Sequence, residues 1–254
     1  MPDIPNRDEL ERQYGRVMAS ILRRQMGELL ELMGDPPDLS KVPPDFWARH
    51  GKEAEAKLRP FGEKVYLEAA ERMLAEVPIG VDYTLVNEAA MRWANRYTFD
   101  LVTDLTDTSR RGLQQAVSGY FREGQTLAEL QAEVASFKDR AGRLFGPTRA
   151  EMIARTEVTR AAVEGQRAAV RESDAILQKY GIKPMVEVWR TRNDELVCPI
   201  CGPRHGKKEG DGWQKGDGPP AHPRCRCWTG FQYPGRKRPP RHEFYKKKEQ
   251  CPPA

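Results

Sequence analysis

The chain has 254 residues, of which 39% are hydrophobic and 31% are charged. This balance is typical of a globular protein with one large domain or two modest ones, and the length is sufficient to bury a core. No stretch approaches the roughly 18 consecutive apolar residues that span a bilayer, and the N-terminus lacks the features of a signal peptide. We therefore expect a cytoplasmic protein, in which paired cysteines are more often metal ligands or redox groups than disulfides.

The net charge of +5 comes from the C-terminal tail, residues 234–254. Two acidic residues there are outnumbered by seven cationic ones, which are Arg236, Lys237, Arg238, Arg241, Lys246, Lys247 and Lys248. Such a tail could bind the phosphates of a nucleic acid, or it could be a disordered segment that keeps the protein soluble.

Hydrophobic periodicity predicts helices over most of the chain. The first covers residues 7–33 and ends at Gly34, ahead of a Pro-rich linker. It could be an arm that docks on a partner, or it could pack on the next helix. A second helical pattern opens after Asp45, is broken near Pro60–Gly62 and stops at Pro78.

Four further helices are predicted in the middle of the chain. A third pattern starts near Asp82, and a fourth covers about residues 109–122. Capping boxes at Thr126–Glu129 and Thr148–Glu151 open a short helix and a longer one that runs to about Ser173. Small residues on the longer helix permit the close approach of another element, and these are Ala161, Ala162, Gly165, Ala168 and Ala169.

Two short strands are predicted near the C-terminus. Residues 186–191 have the composition of a strand, and the segment Arg226–Phe231 is its predicted partner. The predicted fold class is therefore mainly α, with a multi-helix N-terminal and central region and a small C-terminal β-hairpin held by a CxxC…HPxCxC motif.

Four of the five cysteines belong to this motif. Cys198-Pro-Ile-Cys201 forms a turn that can aim two thiolates at one ion, and Cys225 and Cys227 point to the same side of an extended chain. The 23 residues between Cys201 and Cys225 are poor in apolar side chains, so a metal would supply stability that packing cannot. The motif predicts a structural zinc site and favours four cysteines as its ligands. A set of three cysteines and one histidine is the alternative, with His222 and His205 as the spare donors.

Other interpretations of these residues stay open. The cysteines could be reduced free thiols or a redox pair, although a thioredoxin-like βαβ setting is not predicted. A catalytic zinc is disfavoured, because four cysteine donors leave no open coordination position. The residues Arg155, Thr156 and Glu157 could be active-site groups, but on the residues alone a solvated helix surface or a buried ion pair with the cysteine motif is favoured. Cys251 lies in a Pro-flanked tail and is predicted to be a bystander.

An ordered series of motifs extends through residues 148–231. It consists of Ala154-Arg155-Thr156-Glu157, Trp189-x-Thr191, Cys198-Pro-x-Cys201, Gly206-Lys207 and Pro220-Ala221-His222-Pro223-x-Cys225-Arg226-Cys227. Together these motifs resemble the phage Mu F-like minor head protein family. The resemblance implies that the helical family motif is Arg155, Thr156 and Glu157. It also implies that the signature cysteines and histidine are Cys198, Cys201, His222, Cys225 and Cys227.

The resemblance implies a non-enzymatic role in building the head of a tailed phage or prophage. Family members are minor capsid components that associate with the portal protein and influence DNA packaging or delivery. The expected partners are the portal protein, major capsid or scaffold proteins and packaged DNA, with no membrane. The expected location is the host cytoplasm during assembly and then the virion head. The alternative is a zinc-supported DNA-binding module or nuclease. A nuclease needs a metal-bound or His-activated water, and the sequence shows no His-Asn or paired-carboxylate motif.

Four segments are predicted on this basis. Residues 1–44 form a helical arm with its Pro-rich linker, and residues 45–147 form a helical region. Residues 148–233 are the Mu F-like module with the cysteine motif, and residues 234–254 are the basic tail, which is predicted to be disordered.

Overall fold

The structure is a computed structural model that describes residues 6–76, 83–123, 125–126, 128–130, 132, 138–139, 142–143, 147–192, 194–214 and 217–234. The described residues are mainly helical and include two small antiparallel pairs of strands. The predicted fold class is therefore confirmed. None of the helices in this part of the chain has an apolar stretch long enough to cross a membrane.

Helix α1 spans Arg7–Met33, as predicted. It ends where Gly34 adopts a φ of 68°, a left-handed conformation that glycine reaches without a steric penalty. Tyr14 packs edge-on against Phe61 of the next helix, with 5.9 Å between ring centroids. The stripe predicted to be apolar is buried at Leu10, Tyr14, Met18, Ile21, Leu22, Leu29 and Met33.

Helix α2 spans Phe46–Ala75 and continues through Pro60. The break predicted at Pro60–Gly62 is therefore wrong. A proline inside a helix removes one backbone hydrogen bond and costs about 3 kcal/mol. Burial of Leu58 and Val65, each with 1% of its surface exposed, offsets this cost on both sides of the proline. The predicted stop at Pro78 lies outside the described residues.

Helix α3 spans Tyr83–Glu123 as one helix of 41 residues. The sequence predicts two helices here, with a boundary before Ser109, and this boundary does not exist. The hydroxyl of Ser109 donates a hydrogen bond to the carbonyl oxygen of Leu105 at 2.9 Å, so the helix satisfies this polar side chain without ending.

The first predicted capping box forms at the start of the next segment. The backbone N–H of Thr126 donates to the carboxylate of Glu129 at 2.7 Å, and the N–H of Glu129 donates to the hydroxyl of Thr126 at 3.3 Å. Helix α4 spans Pro147–Leu177, with a proline at the first position, where its missing N–H has no cost. The second capping box, Thr148–Glu151, therefore lies inside the first turn of α4.

Two antiparallel strand pairs complete the described elements. Strands β1 (Lys138–Asp139) and β2 (Gly142–Arg143) form a two-residue pair. Strands β3 (Val186–Arg190) and β4 (Trp228–Gln232) pair along their full lengths, so the predicted C-terminal hairpin is confirmed.

The described residues group into two compact units. One unit takes its residues from 1–10, 62–93 and 155–254, and the other from 11–61 and 94–154. The β3–β4 hairpin and the cysteine motif belong to the first unit. One core cluster of this unit joins α2, α3 and α4 through Ala70, Met73, Val86, Ala169, Val170 and Leu177.

The small-residue face of α4 allows α2 to approach closely, as predicted. A Cβ atom on Gly165 would overlap the carbonyl oxygen of Tyr66 and lie 2.9 Å from its carbonyl carbon. Backbone atoms cannot move aside as a flexible side chain can, so this position admits only glycine.

We expect Gly165→Ala to lower the free energy of unfolding by about 2 kcal/mol through overpacking, although alanine favours a helix by about 1 kcal/mol. Gly27→Ala is the matched control, because a Cβ there meets nothing within 4 Å. It should leave stability unchanged or raise it. Urea unfolding followed by circular dichroism measures both changes, and equal stability of the two variants would contradict the close approach.

Candidate metal centre

The side chains of Cys198, Cys201, His222, Cys225 and Cys227 meet next to the β3–β4 hairpin, and we call these five residues the cysteine–histidine cluster. All four cysteines are buried, and among the described residues they form no disulfide. The donor atoms of Cys198, Cys201 and His222 lie within 4.8 Å of one another, as do those of Cys201, Cys225 and Cys227. The sequence prediction that these residues converge is therefore realised in the fold.

Two matching turns build the cluster. In the first, the N–H of Cys201 donates to the carbonyl oxygen of Cys198 at 3.1 Å. In the second, the N–H of Cys225 donates to the carbonyl oxygen of His222 at the same distance of 3.1 Å. Each turn therefore brings the first and last of four residues together, and HPRC repeats the spacing of CPIC. This shared spacing is a signal in the sequence that pairs His222 with Cys225 in the same way as Cys198 with Cys201.

The second turn, residues 222–225, which we call the ligand turn, contains a residue in an unfavourable conformation. Arg224 has a φ of 63°, in the left-handed region that costs a residue with a Cβ roughly 1–2 kcal/mol. With Pro223 before it, Arg224 stands at the position of a type II turn that glycine or asparagine usually occupies. The N–H of Arg224 donates to the hydroxyl of Thr156 on α4 at 3.2 Å, which helps to hold this conformation.

A second threonine of α4 holds the other end of the turn. The hydroxyl of Thr159 shares its proton between the carbonyl oxygens of Arg155 at 2.9 Å and Cys225 at 3.1 Å, and it accepts a hydrogen bond from the guanidinium of Arg7. Arg7 also donates to the carbonyl oxygen of Arg226 at 3.5 Å, and only 3% of its surface is exposed. Neither Thr159 nor Arg7 was predicted to belong to the site, because nothing in their local sequence indicates a contact so distant along the chain.

The predicted helical motif lies on the first half of α4. Thr156 contacts the ligand turn through Arg224, as described above. Arg155 is half-buried, and Glu157 is buried with its carboxylate 3.9 Å from the guanidinium of Arg160. Thr156 therefore supports the cluster, whereas Glu157 is buried beside Arg160 and does not form part of a solvated helix surface.

Further along, α4 is attached to the hairpin by polar contacts. The hydroxyl of Thr229 donates to the side-chain carbonyl of Gln166 at 3.1 Å, and Arg167 forms an ion pair with Glu187 at 2.9 Å. Burial raises the pKa of the Glu187 carboxyl, and the adjacent Arg167 opposes this shift by stabilising the carboxylate. These contacts fix the hairpin on the same helix that holds the ligand turn.

The ring of His222 is oriented by its own turn. Its Nδ1 lies 2.7 Å from the carbonyl oxygen of Pro223, and a carbonyl can only accept, so Nδ1 carries the proton of this hydrogen bond. Nε2 then faces the thiols, at 3.2 Å from the Sγ of Cys198 and 3.3 Å from the Sγ of Cys201. A histidine whose outer nitrogen donates to a carbonyl is the usual arrangement of a metal ligand.

Without a cation, the cluster has to share protons among its donors. Hydrogen bonds with Cys201 and Cys227 lower the pKa of Cys225, and hydrogen bonds with Cys198 and Cys225 raise the pKa of Cys201. The hydrogen bond with Cys198 raises the pKa of His222 to about 9. These directions favour a thiolate at Cys225 and a protonated His222. A divalent cation could take the place of these protons, because thiolates and neutral imidazole are the forms that bind a metal.

The donor spacing fits zinc. Zinc–sulfur bonds of about 2.3 Å in a tetrahedron place two sulfurs roughly 3.8 Å apart. The Sγ atoms of Cys201 and Cys225 are 3.8 Å apart. His205, the other spare donor of the sequence prediction, is not part of the cluster, and its Nδ1 lies 2.8 Å from the hydroxyl of Thr191. The cluster could therefore hold one metal ion.

The predicted nucleic-acid contacts of the basic tail cannot be placed. Arg236, Lys237, Arg238, Arg241, Lys246, Lys247 and Lys248 lie outside the described residues, and so does Cys251.

The fold and the cluster define a mainly helical protein with a potential metal centre at the base of a short hairpin. Residues 111–229 match the family model described as Phage Mu protein F like protein. The match runs from within α3 to within β4 and includes all five residues of the cluster. The resemblance to phage Mu F-like proteins is thereby confirmed, and it suggests a phage head morphogenesis protein. No curated protein and no solved structure shows significant similarity to the chain.

We expect Arg224→Gly to raise the free energy of unfolding by about 1 kcal/mol, because glycine adopts a positive φ without strain. Arg224→Ala removes the same side chain but keeps the Cβ, so it should give no such gain. Urea unfolding at a fixed zinc concentration compares the two variants. Equal stabilisation by both would show that loss of the guanidinium, and not relief of backbone strain, is responsible.

Proposed function

We propose that the protein is a minor head protein of a tailed phage or prophage. In this proposal it associates with the portal protein, contacts major capsid or scaffold proteins, and assists procapsid assembly and DNA packaging or delivery. It would be found in the host cytoplasm during assembly and in the virion head afterwards. The observation that carries the proposal is the Mu F-like match, which covers α4, β3, the start of β4 and the whole cluster.

A structural role for the cluster supports a non-enzymatic function. Five protein donors surround a site where zinc takes four ligands, so the protein can complete the coordination sphere without water or substrate. The four cysteine donors are also buried, with between 1% and 7% of each residue exposed, and His222 is half-buried. A hydrolytic zinc needs an open position for an activated water, and this cluster has ligands enough to fill it.

We propose that the ligands are Cys198, Cys201, His222 and Cys225, and that Cys227 is a neighbouring thiol outside the coordination sphere. The two matching turns supply these four donors in pairs, and His222 is already oriented by the Pro223 carbonyl. This set is the alternative of three cysteines and one histidine, whereas the sequence alone favoured four cysteines.

The proposed metal would stabilise the loop between the two turns. This loop contributes Trp213 to a cluster of buried side chains, where its ring packs edge-on against Trp189 with 5.6 Å between centroids. The indole N–H of Trp213 donates to the carbonyl oxygen of Lys207 at 3.2 Å. One large anchor is little for so long a loop, so metal binding and folding of the loop should be coupled.

The ligand set can be tested with purified protein and cobalt(II), which takes the place of zinc and reports its ligands through absorption. We expect about one zinc per chain by elemental analysis of protein purified without added metal. His222→Asn and Cys198→Ser should each lose the metal, while Cys227→Ser should keep it with unchanged thiolate-to-cobalt absorption. Loss of one thiolate band in Cys227→Ser, with metal retained in His222→Asn, would establish the four-cysteine set instead.

The assembly role can be tested with the portal protein encoded by the same phage or prophage. We expect the two purified proteins to co-sediment, and phage that lacks this gene to produce defective heads. A portal that sediments alone, together with normal heads from the deletion, would contradict the proposal. Cleavage of DNA with magnesium or manganese, lost in Glu157→Ala, would support the nuclease alternative instead.

A further inference from the structure

Two apolar side chains near the cluster are exposed to solvent. Leu196 is 69% exposed and Ile200 is 43% exposed. Leu196 lies two residues before Cys198, and Ile200 lies two residues after it, within the first turn. A solvent-exposed leucine is common on its own, but two such residues this close along the chain are a candidate apolar patch.

A shallow cleft of about 30 Å³ opens beside Leu196. Leu196, Arg192, Arg224 and Arg226 line it together with side chains of the cluster. Two of the three arginines are already neutralised: Arg192 pairs with Asp8 at 2.8 Å, and Arg226 with Asp194 at 2.5 Å. Among the described residues, the Arg224 side chain has no acidic partner.

The conformation of Arg224 makes its side chain informative. Glycine would fit this turn position with less strain, yet the chain has an arginine whose guanidinium is exposed to solvent. The exposed side chain therefore has little buried contact area to offset the strain of its backbone. A strained residue held in place by its surroundings is a reason to look for a function of its side chain.

From these observations we infer that the patch of Leu196 and Ile200 with Arg224 is a docking surface for a partner protein. The partner would present a peptide segment in which one carboxylate lies next to an apolar side chain. The carboxylate would pair with Arg224, and the apolar side chain would cover Leu196. This inference rests on the proposed function and deepens it, since it assigns the surface through which the head protein contacts its partner.

Charge favours a peptide over a nucleic acid as the occupant. Binding to a phosphate backbone relies on several uncompensated cations, and it brings a steep dependence on salt. The cleft has one such cation, because aspartates neutralise Arg192 and Arg226. Exposed Leu196 and Ile200 would also be poorly matched to phosphates, whereas they suit the apolar centre of a small protein interface.

Binding to the portal protein tests the surface in the zinc-loaded full chain. We expect Arg224→Gly and Leu196→Ser each to weaken binding about tenfold or more, as central residues of an interface do, while zinc content stays unchanged. Arg224→Gly should do so although it stabilises the fold, so loss of binding cannot result from unfolding. Lys179→Ala and Tyr180→Ser are matched controls, since both are exposed residues on the turn that follows α4.

Portal binding by Arg224→Gly and Leu196→Ser that is as strong as that of the wild-type chain would overturn the docking surface while leaving the proposed function intact.

A wild-type chain that does not bind the portal would contradict the proposed function. In that case, selection from a displayed library of random peptides tests the surface separately. We expect wild-type protein, but not Arg224→Gly, to enrich peptides with Asp or Glu beside a large apolar residue. Equal enrichment of these peptides by both proteins would overturn the inference, and so would enrichment of basic peptides. Binding of DNA by wild-type protein that is lost in Arg224→Gly would also overturn it.

Discussion

The four-residue turns 198–201 and 222–225 meet at one point, and the C-terminal half of the molecule depends on this constraint. The loop between Cys201 and Cys225 has 23 residues, and those that the structure describes include one large buried anchor, Trp213. Closing a loop of this length by a cross-link is worth roughly 3 kcal/mol of chain entropy, and a metal adds its own binding energy. The proposed zinc ion would therefore act here as a fold-stabilising group, which explains why so polar a segment can present a fixed surface.

Helix α4 provides the second support for this region. Thr156 and Thr159 hold the ligand turn, while Gln166 and Arg167 hold the hairpin. Successive members of this series are three, seven and one residues apart, and this spacing keeps all four side chains on one side of the helix. The small residues on the same helix bring it against α2 at Gly165. One helix thus connects the apolar core of its unit to the polar supports of the cluster, which explains why a family motif would occur on it.

The sequence predicts those features of this structure that are determined locally. The end of α1 follows from Gly34, and the first capping box follows from Thr126 and Glu129, because these residues act through their own backbone neighbourhood. The predicted breaks at Pro60 and before Ser109 are wrong, because burial elsewhere on each helix outweighs a local preference against it. CxxC spacing indicated the cluster, but the contacts of Thr159 and Arg7 depend on long-range packing. The choice between His222 and Cys227 depends on ring orientation, which spacing does not encode.

Rigid support of the ligand turn also bears on how the surface around Arg224 would bind a partner. Ordering a long side chain or a loop on binding costs about 0.5–1.5 kcal/mol for each immobilised side chain, and more for backbone. In this protein, Thr156 and Thr159 fix the turn backbone before any partner arrives, and the proposed metal would fix it further. The strain at Arg224 is then a cost of folding rather than a cost of binding. A metal centre that looks purely structural would in this way raise the affinity of an adjacent protein interface without touching the partner.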